Sequence, residues 1–151
     1  MIEDKLTELG YNLPAAPKPL ASYIPAIKEG NLVFTAGQLP MVDGKLMYTG
    51  KVGNEITSED GMRAAEICLL NCLSVVKAET GSLDNIERII KLTVFVNSAD
   101  CFTAQPKVAN GASDLLVKIF GEAGKHVRSA VGVNELPLDA PVEVEMIARI
   151  K

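Results

Sequence analysis

The stretch Ile86–Asn97, IERIIKLTVFVN, constrains the fold more than any other. Side chains alternate across a strand, yet apolar and β-branched residues here occupy both alternating sets. A strand of this kind is at least partly covered on each face, so it needs packing partners above and below the sheet.

The flanking sequence supplies helices for one side. Thr57 with Asp60 forms a helix-start signature, and Ala65, Leu69, Cys72, Leu73 and Val76 recur at helical spacing until Gly81. A second helix is expected over 106–123, with Val108, Ala112, Leu115, Leu116 and Ile119 inward. Residues 24–28 and 31–36 read as a hairpin about Glu29-Gly30, and 41–55 as a loop with one short edge strand. The closing strands are expected at 127–133 and 142–150. Residues 2–9 form a short helix stopped by Gly10, and the proline-rich 12–23 runs extended. The order β-β-α-β-α-β-β predicts an α+β fold, one sheet with both helices on one face. A single domain is expected over 1–151, with 1–19 as an N-terminal extension and connector. The other face then calls for a partner subunit.

Composition narrows the function. The chain has 151 residues and a net charge of −4, with four phenylalanines, three tyrosines and no tryptophan. Nucleic-acid surfaces concentrate Lys and Arg and stack bases on aromatics, so this balance argues against them. No apolar run approaches the ~20 residues of a membrane span. The charged start MIEDKLTELG lacks a secretory pattern, which makes the cytoplasm the expected location. Cys68, Cys72 and Cys101 are odd in number and read as buried reduced thiols.

In VRSAVGV, Val127, Ser129, Val131 and Val133 share one face and Arg128, Ala130 and Gly132 the other. The first set suits packing beneath the helices. The second places a guanidinium beside two very small residues, leaving a volume where its planar fork could take a carboxylate or phosphate. A surface arginine paired with a glutamate is an equally weighted alternative. In VEVEMIARI, Glu143 and Glu145 lie opposite the apolar set. If the closing strands pair through NELPLDAP, Arg128 and one of these carboxylates line a common cavity; otherwise the glutamates form a solvated face.

VRSAVGVNELPLDAPVEVEMIA resembles the C-terminal signature of the YjgF/Rid family of reactive intermediate imine deaminases, also labelled endoribonuclease L-PSP-like. NLVFTAGQLP and KLTVFVNSADCF are similar to its N-terminal motif and central strand, so the likeness covers about residues 20–150. The resemblance implies a chorismate mutase-like sheet, a homotrimer with sites between subunits, and hydrolysis of small enamines and imines to 2-oxo acids and ammonia without a cofactor. It implies that Arg128 clamps the substrate carboxylate and Glu143 positions water. It also implies that Gly37 approaches the ligand by its backbone, that Tyr23 lines the site, and that Asn110 lies near the subunit junction. Ala130 stands where the family often has cysteine, leaving only a backbone amide for a ligand. The segment between Phe102 and Arg128 is longer than usual, and the N-terminal helix is extra.

Other groups carry less. His126 is the only histidine, which excludes a metal site of several histidines and favours a structural or surface role. Cys68 and Cys72 lack further ligand partners and read as core. GKVG at 50–53 lacks the strand-to-helix setting of a phosphate loop. Ser74, Ser113 and Ser129 show no pairing with a histidine and an acid. Three classes remain: an imine deaminase, a non-catalytic binder of small carboxylates, and a ribonuclease, which the acidic charge disfavours.

Overall fold

The computed structural model describes residues 1–18 and 22–151. The connector expected over 12–23 carries no helix or strand over 12–18, and its residues 19–21 lie outside the described part.

Helix α1 (Ile2–Glu8) is short, and it docks by burying Leu6. Strands β1 (Ala26–Glu29) and β2 (Leu32–Thr35) form the expected hairpin. The following loop holds two strands rather than one, β3 (Met41–Val42) and β4 (Lys45–Leu46), which pair with each other. Helix α2 (Ser58–Thr80) begins with the Thr57 side chain accepting from the Asp60 amide and ends at Gly81 in the left-handed conformation. Then come β5 (Ile86–Asn97), α3 (Gln105–Phe120), β6 (Val127–Val133) and β7 (Val142–Ile150).

The sheet runs β1-β2-β7-β5-β6, with β6 parallel to β5 and all other neighbours antiparallel. One face carries Ile89, Leu92, Val94 and Val96 of β5 and Val142, Val144, Met146 and Ala148 of β7, all buried. Onto it pack the apolar stripes expected for the helices, with Leu69, Leu73 and Val76 of α2 and Val108, Leu115, Leu116 and Ile119 of α3 buried. Helix α3 runs close against α2 at Gly111, where a Cβ would clash with the Met62 carbonyl group.

One expectation about the closing strands fails, and the condition for a shared cavity within the chain is not met. Strands β6 and β7 do not pair, because β5 lies between them. The faces of β6 are also reversed. Its register sets Val94 beside Ala130 and Leu92 beside Arg128, so Arg128, Ala130 and Gly132 face the helices. Val127, 65% exposed, and Val131, 42% exposed, lie instead on the open face. Ile27 and Phe34 join them there, also exposed. The helix side of an edge strand is roofed only by the margin of α3, which suits small residues and a long polar one. Beside Gly132, an added Cβ would come within 2.8 Å of Gln105 Nε2 and 3.0 Å of Ser98 Oγ, so these side chains take up space on that face.

Candidate functional site

Glu143 lies on β7, on the open face, opposite Phe95 of β5. Beyond β2 the chain stays beside β7: Gln38 N–H donates to Val144 O at 2.8 Å and Val144 N–H to Gln38 O at 3.0 Å. This carries the backbone of Gly37 over the glutamate side chain. A Cβ at Gly37 would collide with Glu143 Oε1 and come within 2.8 Å of Cδ. A side chain at Gly37 would therefore push the Glu143 carboxyl aside, so the missing Cβ leaves the glutamate its place. Tyr23, Gly37 and Glu143 line one cavity of about 260 Å³, with Lys18, Gln38 and Pro137 also in its wall. Burial pushes the Glu143 carboxyl above its ordinary range, and the neighbouring Glu145 carboxylate adds to the effect.

Arg128 is held elsewhere. Its Nη1 donates to Asn110 Oδ1 at 2.9 Å and to Ser113 Oγ at 3.1 Å, both on α3. Among the described residues it pairs with no carboxylate, which removes the surface ion pair as an account of it. Ala130 is half-buried on the same face of the strand. Arg128 lines none of four well-formed pockets found among the described residues.

The residues singled out in the sequence therefore fall into two groups. Tyr23, Gly37 and Glu143 meet in one hollow, while Arg128, Asn110 and Ala130 meet at the sheet edge. Two strand spacings, roughly 10 Å, separate β6 from β7, and the two side chains point to opposite faces. Within one chain they do not share a cavity.

The thiols divide as well. Cys68 and Cys72 are buried and donate to Val142 O and Val144 O. Burial drives the Cys68 thiol well up and the Cys72 thiol to about 12, so neither serves as a thiolate. Cys101, expected to be buried, is exposed at a turn with positive φ. Among the described residues no cluster of three or more His, Cys, Asp or Glu can hold a metal ion. No helix there is long and apolar enough to cross a membrane.

The sequence profile of the YjgF/chorismate mutase-like family matches residues 3–150. The chain belongs to that family. Protein TCP17 of Trypanosoma cruzi is 44% identical over 146 residues, covering 96% of this chain and 91% of that one. The crystal structure of Atu1372 from Agrobacterium tumefaciens superposes with a TM-score of 0.94 at 46% identity, covering 99% and 92% of the two chains. A 2-iminobutanoate/2-iminopropanoate deaminase of Dermatophagoides farinae is 31% identical over 139 residues, covering 91% and 93%. Family members thus include a protein named for imine deamination.

Two polar partners went unnoticed in the sequence. Ser113 Oγ lies 2.9 Å from His126 Nε2, a contact between two residues that the sequence left apart. No carboxylate completes it, because His126 Nδ1 lies 2.6 Å from the Gly124 carbonyl oxygen. The only signal was Ser113 following Asn110 by three residues, which puts both on one helical face. Lys51 of GKVG donates to Asn97 Oδ1 at 2.9 Å and to Asn134 O, tying the loop after β6 to the end of β5.

Proposed function

We propose that this protein hydrolyses small 2-imino acids to 2-oxo acids and ammonia, in sites completed between copies of the chain in a homotrimer. The observation that carries this reading is the half-buried Glu143, pressed against a bare α-carbon in a small hollow, its carboxyl held above the ordinary range. A carboxylate whose proton affinity is raised by burial is suited to taking and returning a proton. What that hollow lacks is an arginine, and Arg128 of a neighbouring copy is the group to supply it. The open face with Ile27, Phe34, Val127 and Val131 is the surface through which copies would associate.

The chemistry needs little else. The substrate carboxylate lies on Arg128, which fixes the imine carbon near a water held by Glu143. Water oxygen bonds to the carbon of the protonated imine as the C=N π pair moves onto nitrogen, and Glu143 takes one water proton, which gives the neutral carbinolamine. Glu143 returns that proton to the amine nitrogen, the C–N bond breaks to release ammonia, and the hydroxyl proton passes back to Glu143 and on to solvent as the C=O of the 2-oxo acid forms. One water is consumed and no electrons are exchanged.

The test couples an amino-acid oxidase or a dehydratase to semicarbazide trapping of the imine. Added protein should speed release of the 2-oxo acid, and Arg128→Ala should lower kcat/KM about 100-fold or more with assembly intact. No acceleration, together with carboxylate binding that needs Arg128, would make the protein a binder and overturn the deaminase reading.

A further inference from the structure

The Arg128 guanidinium ends a chain of hydrogen bonds whose direction can be assigned atom by atom. The Gly124 carbonyl oxygen only accepts, so His126 Nδ1 bears the proton at that 2.6 Å contact. Burial holds His126 below its ordinary pKa. The Gly124 hydrogen bond opposes that shift, and the Arg128 charge adds to it. The ring is therefore neutral near pH 7, and Nε2 is a bare acceptor. Ser113 must then donate its hydroxyl proton to Nε2, at 2.9 Å. That turns the lone pairs of Ser113 Oγ toward Arg128 Nη1, 3.1 Å away. Asn110 Oδ1 takes the other Nη1 proton at 2.9 Å.

Two acceptors on one nitrogen fix both the position and the plane of the guanidinium. They leave Nε–H and Nη2–H, which have no partner among the described residues. Those two form the side-on fork that matches the two oxygens of a carboxylate. Without the histidine acceptor, the Ser113 hydroxyl is free to turn its proton elsewhere, as helical serines do toward preceding carbonyls. One of the two anchors of Nη1 then loses its fixed orientation.

We propose that His126 is a positioning residue which, through Ser113, sets Arg128 for side-on capture of a substrate carboxylate. The inference rests on the carboxylate-binding role of Arg128 given above, and it adds two residues to the anion half of the site. Neither touches substrate. Their effect is on how well the fork is presented, so it should appear in carboxylate affinity and KM rather than in kcat.

The experiment measures binding of 2-oxobutanoate by calorimetry, and KM and kcat with 2-iminobutanoate, in the assembled protein. The variants are His126→Phe, His126→Gln, Ser113→Ala and the double variant His126→Phe/Ser113→Ala. His126→Phe and Ser113→Ala should each weaken 2-oxobutanoate binding and raise KM roughly fivefold, the worth of one hydrogen bond. The double variant should lose no more than either single one, because both break the same chain. His126→Gln, which restores a neutral acceptor, should recover most of the loss. Nitrogen-detected NMR of the arginine side chains should show faster rotation of the Arg128 guanidinium in His126→Phe, with or without ligand. Unchanged affinity and unchanged guanidinium rotation in a folded His126→Phe would overturn the proposal, as would losses that simply add. If Arg128→Ala itself binds 2-oxobutanoate like the parent, the carboxylate-binding role of Arg128 fails instead and takes this inference with it.

Discussion

The hollow around Glu143 and the edge around Arg128 are built by opposite means. The first is made by backbone: the strand continuation through Gln38 brings Gly37 onto the glutamate, and the missing Cβ creates the room. The second is made by side chains, with Asn110 and Ser113 of α3 gripping a guanidinium on an edge strand. One half holds a carboxylate in a cavity, while the other holds an arginine that borders none of the pockets described. Each lacks what the other has. In the proposed reading, a site divided in this way links chemistry to assembly, with the water-handling group on one copy and the anion grip on the next.

That contrast can be broken most forcefully at the open face. Val131→Asp puts a charge where copies are proposed to meet, at roughly 3 kcal/mol or more if it is buried unpaired. Gel filtration should show smaller species, and turnover should all but vanish. Full activity in a dissociated protein would mean that the two halves do not need each other. A smaller effect is expected at the backbone-built half. Gly37→Ala displaces Glu143 and should lower kcat roughly tenfold, with affinity for 2-oxobutanoate nearly unchanged. A matching loss of affinity would show that the halves are not separable. The smallest effect concerns pH. In the proposed mechanism Glu143 acts as a carboxylate, and burial holds its pKa above the ordinary carboxylate range, so the acid limb of kcat/KM should lie above that range too. Glu145→Gln removes the lesser of the two causes and should move the limb down. An upward shift would contradict the assignment of Glu143.

Much of this architecture is legible in the chain. Strands β6 and β7 start and end where alternation begins and stops, and α2 is bounded by Thr57 and Gly81 as their side chains and backbone require. The grouping of Tyr23, Gly37 and Glu143 follows motifs on neighbouring segments. What alternation cannot tell is which alternate set faces the core. Val127, Ser129, Val131 and Val133 look more apolar than Arg128, Ala130 and Gly132, yet they face outward, on an open face that also exposes Ile27 and Phe34. Strand order is equally hidden. The insertion of β5 between β6 and β7 depends on pairing over long sequence separations, and no local pattern records it. The Ser113–His126 contact spans thirteen residues from a helix to the start of a strand, so it exists only once α3 lies on the sheet edge.

Complementation between two inactive proteins tests the division of the site most directly. Arg128→Ala and Glu143→Ala chains are each expected to be inactive, and are refolded together so that their assemblies mix. If every site takes its arginine from one copy and its glutamate from the next around a closed ring, random mixing restores about a quarter of parental activity. Activity no greater than the sum of the two separate variants, in assemblies verified to be mixed, would contradict a site shared between copies.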